Sequence, residues 1–530
     1  MTRSTLLATL LLLLPRHPHR HLVAASSFEH GFDTLTAITL NFSGSPNTPP
    51  LDFRYGVDGP RGAMCDNGIS VAEELLSFGS TLLRTHDSDV LDWTAYYPHP
   101  ALDADTADPA SYNWTAGDAY FARIVGDGLE PYLRLGTSWS VSGGGLPPNG
   151  VPYNQTALVD VLLHTVMHYN DGWGGDAGGA AGRGGVRYWE IWNEPDSTCT
   201  YNDVPGCGRF WNRTAADFYD LVDATTRAIK AYDPTLQVGT CGVANPAMQL
   251  SPPNPFSLGL IRALGARATP LDFFSWHTYS CNIELFASTS KAVRAALDAA
   301  WPGRRGVDAV ASHVTEWFPG ILTSEQDTAH GAASFAGSLT RMVQSGVRLA
   351  TLYPLCSSGE GRTGGHGWGL FDQESRPGVA VWRRLTYAFQ AFGEVAQTAS
   401  EGRLLSPNFT TTVPTEGGSS SPNFTTTVLA GRSATGSALP SVKALVVVQN
   451  HKVCNGDNRT VGLPRVVTFA VGGLPAVVPA WQYSVSVIDS DHTVPIIVAG
   501  GVAKASKNGT LNITFSMQPP AVALVRLVAA

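Results

Sequence analysis

Two glutamates stand out in this 530-residue chain because of the residues around them. Glu194 comes near the end of the run Val186-Arg-Tyr-Trp-Glu-Ile-Trp-Asn-Glu-Pro-Asp196. The aromatic and β-branched residues before it read as a buried strand. Pro195 cannot continue a hydrogen-bonded ladder, so the strand stops and leaves Glu194 at its end. Glu316 closes a second short run, Ser312-His-Val-Thr-Glu-Trp317, and it too is followed by an aromatic. Two carboxyl groups can divide labour: a protonated one donates to a leaving group, and an ionised one attacks or directs water. Cleavage of a glycosidic bond needs such a pair. A separation of about 5–5.5 Å goes with retention of anomeric configuration, and about 6.5–9.5 Å with inversion.

Other polar residues sit at comparable places. Asn193 offers donors and an acceptor suited to a sugar hydroxyl. Tyr188, Trp189 and Trp192 offer flat apolar surface of the kind that covers sugar faces, and Trp317 is expected to contact substrate beside Glu316. Phe273-Phe-Ser-Trp-His-Thr-Tyr279 ends with His277 and Tyr279. Tyr279 is expected to donate to the nucleophilic carboxylate and keep it ionised, and His277 to bind substrate or tune the acid. Leu82-Leu-Arg-Thr-His-Asp87 supplies Arg84 and His86. Arg84 is expected to hold the anion and lower its pKa; the competing reading is a salt bridge that closes the bottom of the fold. His86 is expected to meet substrate. No metal or other cofactor is expected. Cys199 and Cys207 do not have Cys-x2-Cys spacing, and neither His-Glu-x-x-His nor the Gly-x-Ser-x-Gly elbow of serine hydrolases occurs.

A scaffold must bring these strand ends together. From about Leu51 to Glu394, short β-rich runs alternate with amphipathic helical runs, the pattern of parallel strands joined by helices. The eight strand candidates are Phe53–Val57, Leu82–His86, Pro131–Gly136, Val186–Trp192, Gln237–Cys241, Asp272–Tyr279, Ser312–Trp317 and Leu349–Leu355. The clearest helices are Ala215–Tyr232, stopped by Asp233-Pro234, and Ala329–Val347. Eight such units predict an α/β fold, a (β/α)8 TIM barrel over 51–395. No Gly-x-Gly-x-x-Gly follows the first strand to suggest a doubly wound sheet. Both glutamates then lie at C-terminal ends of barrel strands, the fourth and the seventh, and face one mouth.

After the barrel, residues 396–440 are rich in Ser, Thr, Gly and Pro. Ser406-Pro-Asn-Phe-Thr-Thr-Thr-Val413 recurs as Ser421-Pro-Asn-Phe-Thr-Thr-Thr-Val428. This reads as a glycosylated linker or surface loop. Residues 441–530 hold β-branched strands without helices and predict a small antiparallel β-sandwich, which the early run Leu35–Phe42, within the segment 27–50, could join.

The motifs Glu190-Ile-Trp-Asn-Glu-Pro-Asp196, Ser275-Trp-His-Thr-Tyr279, Thr315-Glu-Trp317 and Gly367-Trp-Gly-Leu-Phe371 resemble glycoside hydrolase family 39. This is the family of β-xylosidases and α-L-iduronidases, in the retaining clan with acid/base on strand four and nucleophile on strand seven. The resemblance implies a barrel with a β-sandwich. It makes Glu194 the acid/base, Glu316 the nucleophile and Asn193 the contact to a sugar 2-hydroxyl. Iduronidases place basic residues after the strand-six histidine, whereas Thr278-Tyr279 stands there in this chain, as in the xylosidases. The substrate implied is therefore a neutral sugar such as β-xylose, unless Arg134, Arg362 or His366 supplies a charge from another loop. An iduronidase-like uronate hydrolase, an endo-glycanase of the same clan and a non-catalytic carbohydrate-binding protein on a decayed barrel are the alternatives.

Composition narrows the remainder. With 43% hydrophobic and 15% charged residues the chain can bury a large core, and its net charge of −8 argues against nucleic acid as a partner. Met1-Thr-Arg3, the apolar run Leu6–Leu14 and the small residues Ala24-Ala-Ser26 read as a signal peptide over 1–26, although Pro15–His21 is unusually basic for one. No later run has 18 consecutive apolar residues, so no stable membrane span is expected. Nine Asn-x-Ser/Thr sites (Asn41, Asn113, Asn154, Asn212, Asn408, Asn423, Asn458, Asn508 and Asn512) agree with export. The expected location is extracellular, or the lumen of a lysosome-like or vacuolar compartment. Seven cysteines leave at least one unpaired or paired with another molecule, and Cys199 with Cys207 is a candidate disulfide.

Overall fold

The computed structural model describes residues 35–41, 53–138, 153–175, 185–197, 210–244, 246, 256–320, 327–357, 369–373, 378–400, 403–405, 410–412, 425–433, 440–449, 465–474 and 477–530. The signal-peptide segment and the Cys199–Cys207 pair lie outside them.

Strands are numbered along the chain from β1 (Leu35–Asn41). The next eight are β2 (Arg54–Asp58), β3 (Leu82–Arg84), β4 (Glu130–Leu135), β5 (Tyr188–Ile191), β6 (Gln237–Gly239), β7 (Phe273–Tyr279), β8 (Ala311–Phe318) and β9 (Leu349–Leu352). They form a closed parallel barrel in chain order, with β9 pairing back onto β2. The expected barrel is the one observed. The helix Ala215–Tyr232 shows why the sequence folds this way locally. Thr214 caps it, accepting from the Asp217 amide at 3.1 Å, while the Asp217 carboxylate accepts from the Thr214 amide at 3.4 Å. Its buried stripe of Phe218, Leu221, Val222, Thr225 and Ile229 lies against the barrel.

Side chains fill the barrel interior. Leu82, Tyr132, Tyr188, Phe273 and Leu349 make an apolar floor. His313 stacks on Phe273 with ring centroids 4.3 Å apart, and Tyr132 stacks on Tyr188 at 5.4 Å. Gly239 on β6 seats Phe273: a Cβ there would lie 1.9 Å from the ring. Above the floor β8 breaks the alternation of strand side chains. Val314 pairs with Trp276 on one side and Ala350 on the other, and the register then shifts before His277↔Glu316 and Trp317↔Leu352. The extra residue at Thr315–Glu316 is a β-bulge. It aims two consecutive side chains inward and sends Trp317 outward.

A two-residue ladder, β10 (Phe371–Asp372) with β11 (Val381–Trp382), follows β9. Beyond the helix Arg384–Ser400 come β12 (Arg403–Leu405), β13 (Thr410–Thr412), β14 (Thr425–Arg432), β15 (Ser441–Gln449), β16 (Arg465–Gly472), β17 (Trp481–Ile488), β18 (Ile496–Ala503), β19 (Leu511–Met517) and β20 (Ala521–Ala529). They form two sheets, ordered β13-β1-β16-β19 and β12-β14-β15-β20-β17-β18. The run expected to join from the N-terminus does so: β1 pairs parallel with β16 and antiparallel with β13. The stretch 396–440 is not linker throughout, because β12, β13 and β14 fall inside it. The physical reason is the β-branched Thr-Thr-Thr-Val tail of each repeat. In the second copy it is strand, and Val428 enters the sandwich core.

The inner strands of the six-stranded sheet are buried on both faces. On β15, Val442, Ala444, Val446 and Val448 face the sandwich core, while Leu445 and Val447 face the barrel. On β20, Ala521, Ala523 and Val525 face the sandwich, and Val522 and Leu524 the barrel. Two-sided burial accounts for the unbroken apolar runs of these strands. Arg526 clamps the contact, donating to both oxygens of Glu394 on the last barrel helix at 2.8 and 2.7 Å. A disulfide between Cys65 and Cys356 joins the loops after the first and last barrel strands, and Cys281 is also disulfide-bonded. Among the described residues no helix is long and apolar enough to cross a membrane.

Candidate active site

Arg84, at the end of β3, organises the barrel mouth and is wholly buried. Its Nε donates to Glu190 Oε2 at 2.7 Å, Nη1 to Glu316 Oε1 at 2.8 Å and Nη2 to Asn193 Oδ1 at 2.8 Å. Nη1 also lies 3.4 Å from Asp58 Oδ1. Thr315 donates to the other oxygen of Glu190 at 2.7 Å. Burial opposes the charge of Arg84, but the surrounding Glu190, Asp58 and Glu316 outweigh it and push its pKa further up. Three buried carboxyl groups around one guanidinium leave an excess of acid. Burial pushes Asp58 well above the ordinary carboxylate range, with Glu316 and Glu190 adding to that against Arg84. Arg84 thus lies at the barrel mouth, bonded to Glu316 and Glu190, and not at the barrel bottom.

Glu316 is reached from three further sides. The Tyr279 hydroxyl donates to its Oε2 at 2.7 Å, as expected. His277 Nδ1 lies 3.5 Å from the same oxygen, and His86 Nε2 lies 3.4 Å from Oε1. Burial pushes the Glu316 carboxyl upward and nearby Glu194 adds to it, while His277, Arg84 and Tyr279 pull it back. The net direction is up. Even so, Arg84 can only donate and the Tyr279 hydroxyl does donate, so both favour the anion.

Glu194 reaches the mouth through a contorted backbone. Trp192 and Glu194 have φ of 80° and 41°, left-handed conformations that side chains rarely adopt. The Trp192 ring packs over Gly136, where a Cβ would come within 2.6 Å of it. The Glu194 amide donates to the carbonyl of Cys241 at 2.9 Å. Its carboxylate Oε1 is 2.8 Å from His277 Nδ1. One ligand-type atom each from Glu194, His277 and Glu316 lies within 4.8 Å of the others. The strand-end reading thus holds for both glutamates.

Burial pushes the His277 imidazole down to about 4, so the ring is neutral near pH 7. Its Nε2 abuts Gly242, where a Cβ would lie 2.3 Å away. A neutral ring serves either form of Glu194: Nδ1 accepts from the protonated acid, or Nδ1–H donates to the carboxylate. The same three groups form a triad that a metal ion could use, but the guanidinium 2.8 Å from Glu316 already supplies the positive charge there.

Four aromatic expectations need correction. Trp317 faces away from the mouth, its ring lying against Phe335 at 5.0 Å and Phe286 at 6.1 Å in the layer between barrel and helices. The bulge that turns Glu316 inward turns Trp317 outward. Tyr188 belongs to the floor, Trp189 to the outer core, and Trp192 is fully buried with its Nε1 donating to the Phe210 carbonyl. Alternation turns Trp189 outward, Tyr188 lies too deep in the barrel, and the left-handed backbone at Trp192 packs its ring over Gly136. Arg134, a possible source of substrate-binding charge, is buried and donates to Asp92 at 2.9 Å. Arg362 and His366 lie outside the described residues.

The sequence reading missed Glu190, Asp58, Thr315 and Tyr353, and it placed Asp87 at a strand end without giving it a role. Glu190 carried a usable signal. It lies two residues from Tyr188 on the same strand, so alternation turns both inward. Asp87 follows His86 and contacts it at 3.1 Å, and Tyr353 donates to Asp87 at 2.8 Å.

Residues 180–319, a span holding both glutamates, His277 and Tyr279, match the family described as glycosyl hydrolases family 39. Over that segment the chain resembles glycosyl hydrolases family 39. A β-xylosidase of Geobacillus stearothermophilus is 24% identical over 182 residues, which are 32% of this chain and 31% of that protein. The match thus spans under a third of the relative's length. At the level of fold the likeness is broader. A glucosidase from Croceicoccus marinus superposes with a TM-score of 0.67 at 21% identity, over 94% of this chain and all of that one. A monomeric β-xylosidase from Caulobacter crescentus CB15 gives 0.61 at 16% identity, over 93% and 99%. These structures share the fold of this chain.

Proposed function

We propose that this chain is a retaining glycoside hydrolase that releases a neutral terminal sugar, with a β-xyloside as the first substrate to test. The observation that carries the reading is the meeting of Glu194 and Glu316 around His277, with carboxylate oxygens within 4.8 Å of one another. So short a gap suits direct attack by one carboxylate and leaves little room for the intervening water of an inverting site. The family match and the β-xylosidase relative support the same chemistry.

In this reading Glu316, as the anion, attacks the anomeric carbon while Glu194 gives its proton to the departing oxygen. The bond to the leaving group breaks and a glycosyl ester of Glu316 forms. Glu194, now a carboxylate, takes a proton from water as the water's oxygen attacks the same carbon. Glu316 departs as the anion, and two displacements restore the original configuration. Arg84 and the Tyr279 hydroxyl hold Glu316 in place through both steps. Asn193, whose Oδ1 is bound by Arg84, keeps a buried Nδ2 with no partner among the described residues, suited to a sugar hydroxyl.

The test is hydrolysis of 4-nitrophenyl β-D-xyloside followed by proton NMR of the first-formed sugar. β-Xylose appearing before mutarotation is the expected result; α-xylose would mean inversion and would sink the double-displacement scheme. A matching β-glucoside belongs in the same assay because a glucosidase shares the fold. Export into an oxidising compartment is part of the proposal. The Cys65–Cys356 disulfide and the nine glycan acceptors support it, and a mass decrease of the secreted protein on enzymatic deglycosylation is its check.

A further inference from the structure

Three buried acids from three strands converge on one guanidinium. Asp58 ends β2, Glu190 lies on β5 and Glu316 on β8, and Arg84 meets all three. Arg134 is a second buried cation close by, bonded to a fourth buried acid, Asp92, at 2.9 Å. The imidazoles add no charge near pH 7. Burial first, then Arg84 and Arg134, push His86 well down, and burial pushes His277 down to about 4. The phenols that face Asp58, those of Tyr120, Tyr132 and Tyr353, are pushed upward by burial and stay neutral. Asp87 and Glu194 are further acids nearer solvent. With every acid ionised, Arg84 and Arg134 would face Asp58, Glu190, Glu316 and Asp92 together. A buried excess of one charge is relieved by protonating an acid.

The hydrogen bonds distinguish the four. Glu190 accepts from Arg84 on one oxygen and from Thr315 on the other, both at 2.7 Å. Glu316 accepts from Arg84 at 2.8 Å on one oxygen and from Tyr279 at 2.7 Å on the other. Asp92 accepts from Arg134 at 2.9 Å and from Ser138 at 2.7 Å, again one donor to each oxygen. Asp58 differs. Its two oxygens lie 3.4 and 3.5 Å from Arg84 Nη1, the nitrogen that already donates to Glu316 at 2.8 Å. Those distances are at the outer limit of a hydrogen bond. Among the described residues no other donor reaches the Asp58 carboxyl. Close donors on both oxygens favour an anion, and Asp58 lacks them.

We propose that the proton this cluster must hold sits on Asp58. As a neutral acid Asp58 is a positioning residue: it fills the space beside Arg84 without competing for its charge, and so leaves Glu316 the anion. The inference rests on the glycosidase reading only in taking Glu316 as the nucleophile.

The direct test is infrared spectroscopy of wild type and Asp58→Asn in heavy water near neutral pH. The carbonyl band of a protonated carboxylic acid is expected in wild type and should vanish in the variant, whose folding a thermal melt checks. No such band in wild type, or a band that survives in Asp58→Asn, overturns the proposal. Should Asp58→Asn not fold, wild type carrying carbon-13 at its aspartate carboxyls takes its place. A band that shifts with the label and persists in Asp92→Asn supports Asp58; no shift, or loss of the band in Asp92→Asn, overturns it. Kinetics then test the positioning. Asp58→Ala is expected to lower kcat on 4-nitrophenyl β-D-xyloside about tenfold while changing KM less. Asp58→Asn should recover most of that loss, because the amide has the shape of the neutral acid and offers Arg84 an oxygen. Failure to recover overturns the positioning role. So does an acid limb of the pH–rate profile that moves down by about one unit in Asp58→Asn, since that would mean a negative charge had been removed from beside Glu316. If wild type cleaves no aryl glycoside, the glycosidase reading fails on its own, and the infrared band still decides where the proton is.

Discussion

The mouth and the floor of the barrel share strands and both lie largely out of water, yet they are built on opposite principles. Along β5, Tyr188 belongs to the floor and Glu190 to the mouth; along β7, Phe273 to the floor and His277 to the mouth. The floor buries aromatic rings and is held by packing, with Gly239 left bare to admit Phe273. The mouth buries carboxyl groups, a guanidinium and imidazoles, and each must be satisfied by a neighbour at a cost in desolvation. The floor therefore carries stability, while the mouth spends stability to hold groups in reactive states.

That division can be broken experimentally. The largest effect is expected for Glu316→Ala: turnover of an activated aryl glycoside falls by about 10⁴-fold or more, while the melting temperature stays level or rises because a buried acid is gone. Azide should restore turnover with inverted product. Full activity without azide would remove Glu316 from the mechanism. Phe273→Ala is the converse, losing about 3–5 kcal/mol in denaturant unfolding with little change in kcat of the folded enzyme. Tyr279→Phe should lower kcat/KM about tenfold through loss of a hydrogen bond to a charged group. It also removes a donor that pulls the Glu316 pKa down, so the acid limb of the pH–rate profile should move to higher pH; a limb that stays put would deny Tyr279 that role. The smallest effect belongs to His313 in the floor, whose pKa burial pushes down to about 3. The unfolded chain takes up this proton near pH 6.5 and the folded chain does not. Its contribution is therefore complete above that pH and is lost as pH falls toward 3. His313→Phe should shrink the drop in melting temperature between pH 7 and pH 4.5, and an unchanged drop would place acid sensitivity elsewhere.

The barrel was readable because each of its strands is a compact β-rich run and each helix has one apolar stripe. Glu194 was readable because Pro195 stops the extended run, although β5 itself already ends at Ile191. Glu316 was legible only as half of a pair. Strict alternation from His313 puts Thr315 inward and Glu316 outward, and only the bulge brings both inside. The same irregularity explains why Trp317 looked like a substrate contact and is a core residue. Asp58 and Asp87 were opaque, since what matters about them is which distant strand ends they meet. The stretch 396–440 misled because its composition is that of a linker, while its Thr-Thr-Thr-Val segments have partners in β1 and β15 that only the assembled sheets reveal.

The parallel pairing of β1 with β16 has a consequence for biosynthesis. The first of the described strands to emerge from the ribosome joins a partner encoded close to the other end of the message. One edge of β1 can take β13 earlier, but the edge that meets β16 must wait until that strand is translated, on the order of tens of seconds. During that interval an uncapped strand edge is open to chaperones or to neighbouring nascent chains. A stop codon anywhere before β16 would leave that edge exposed for the life of the protein.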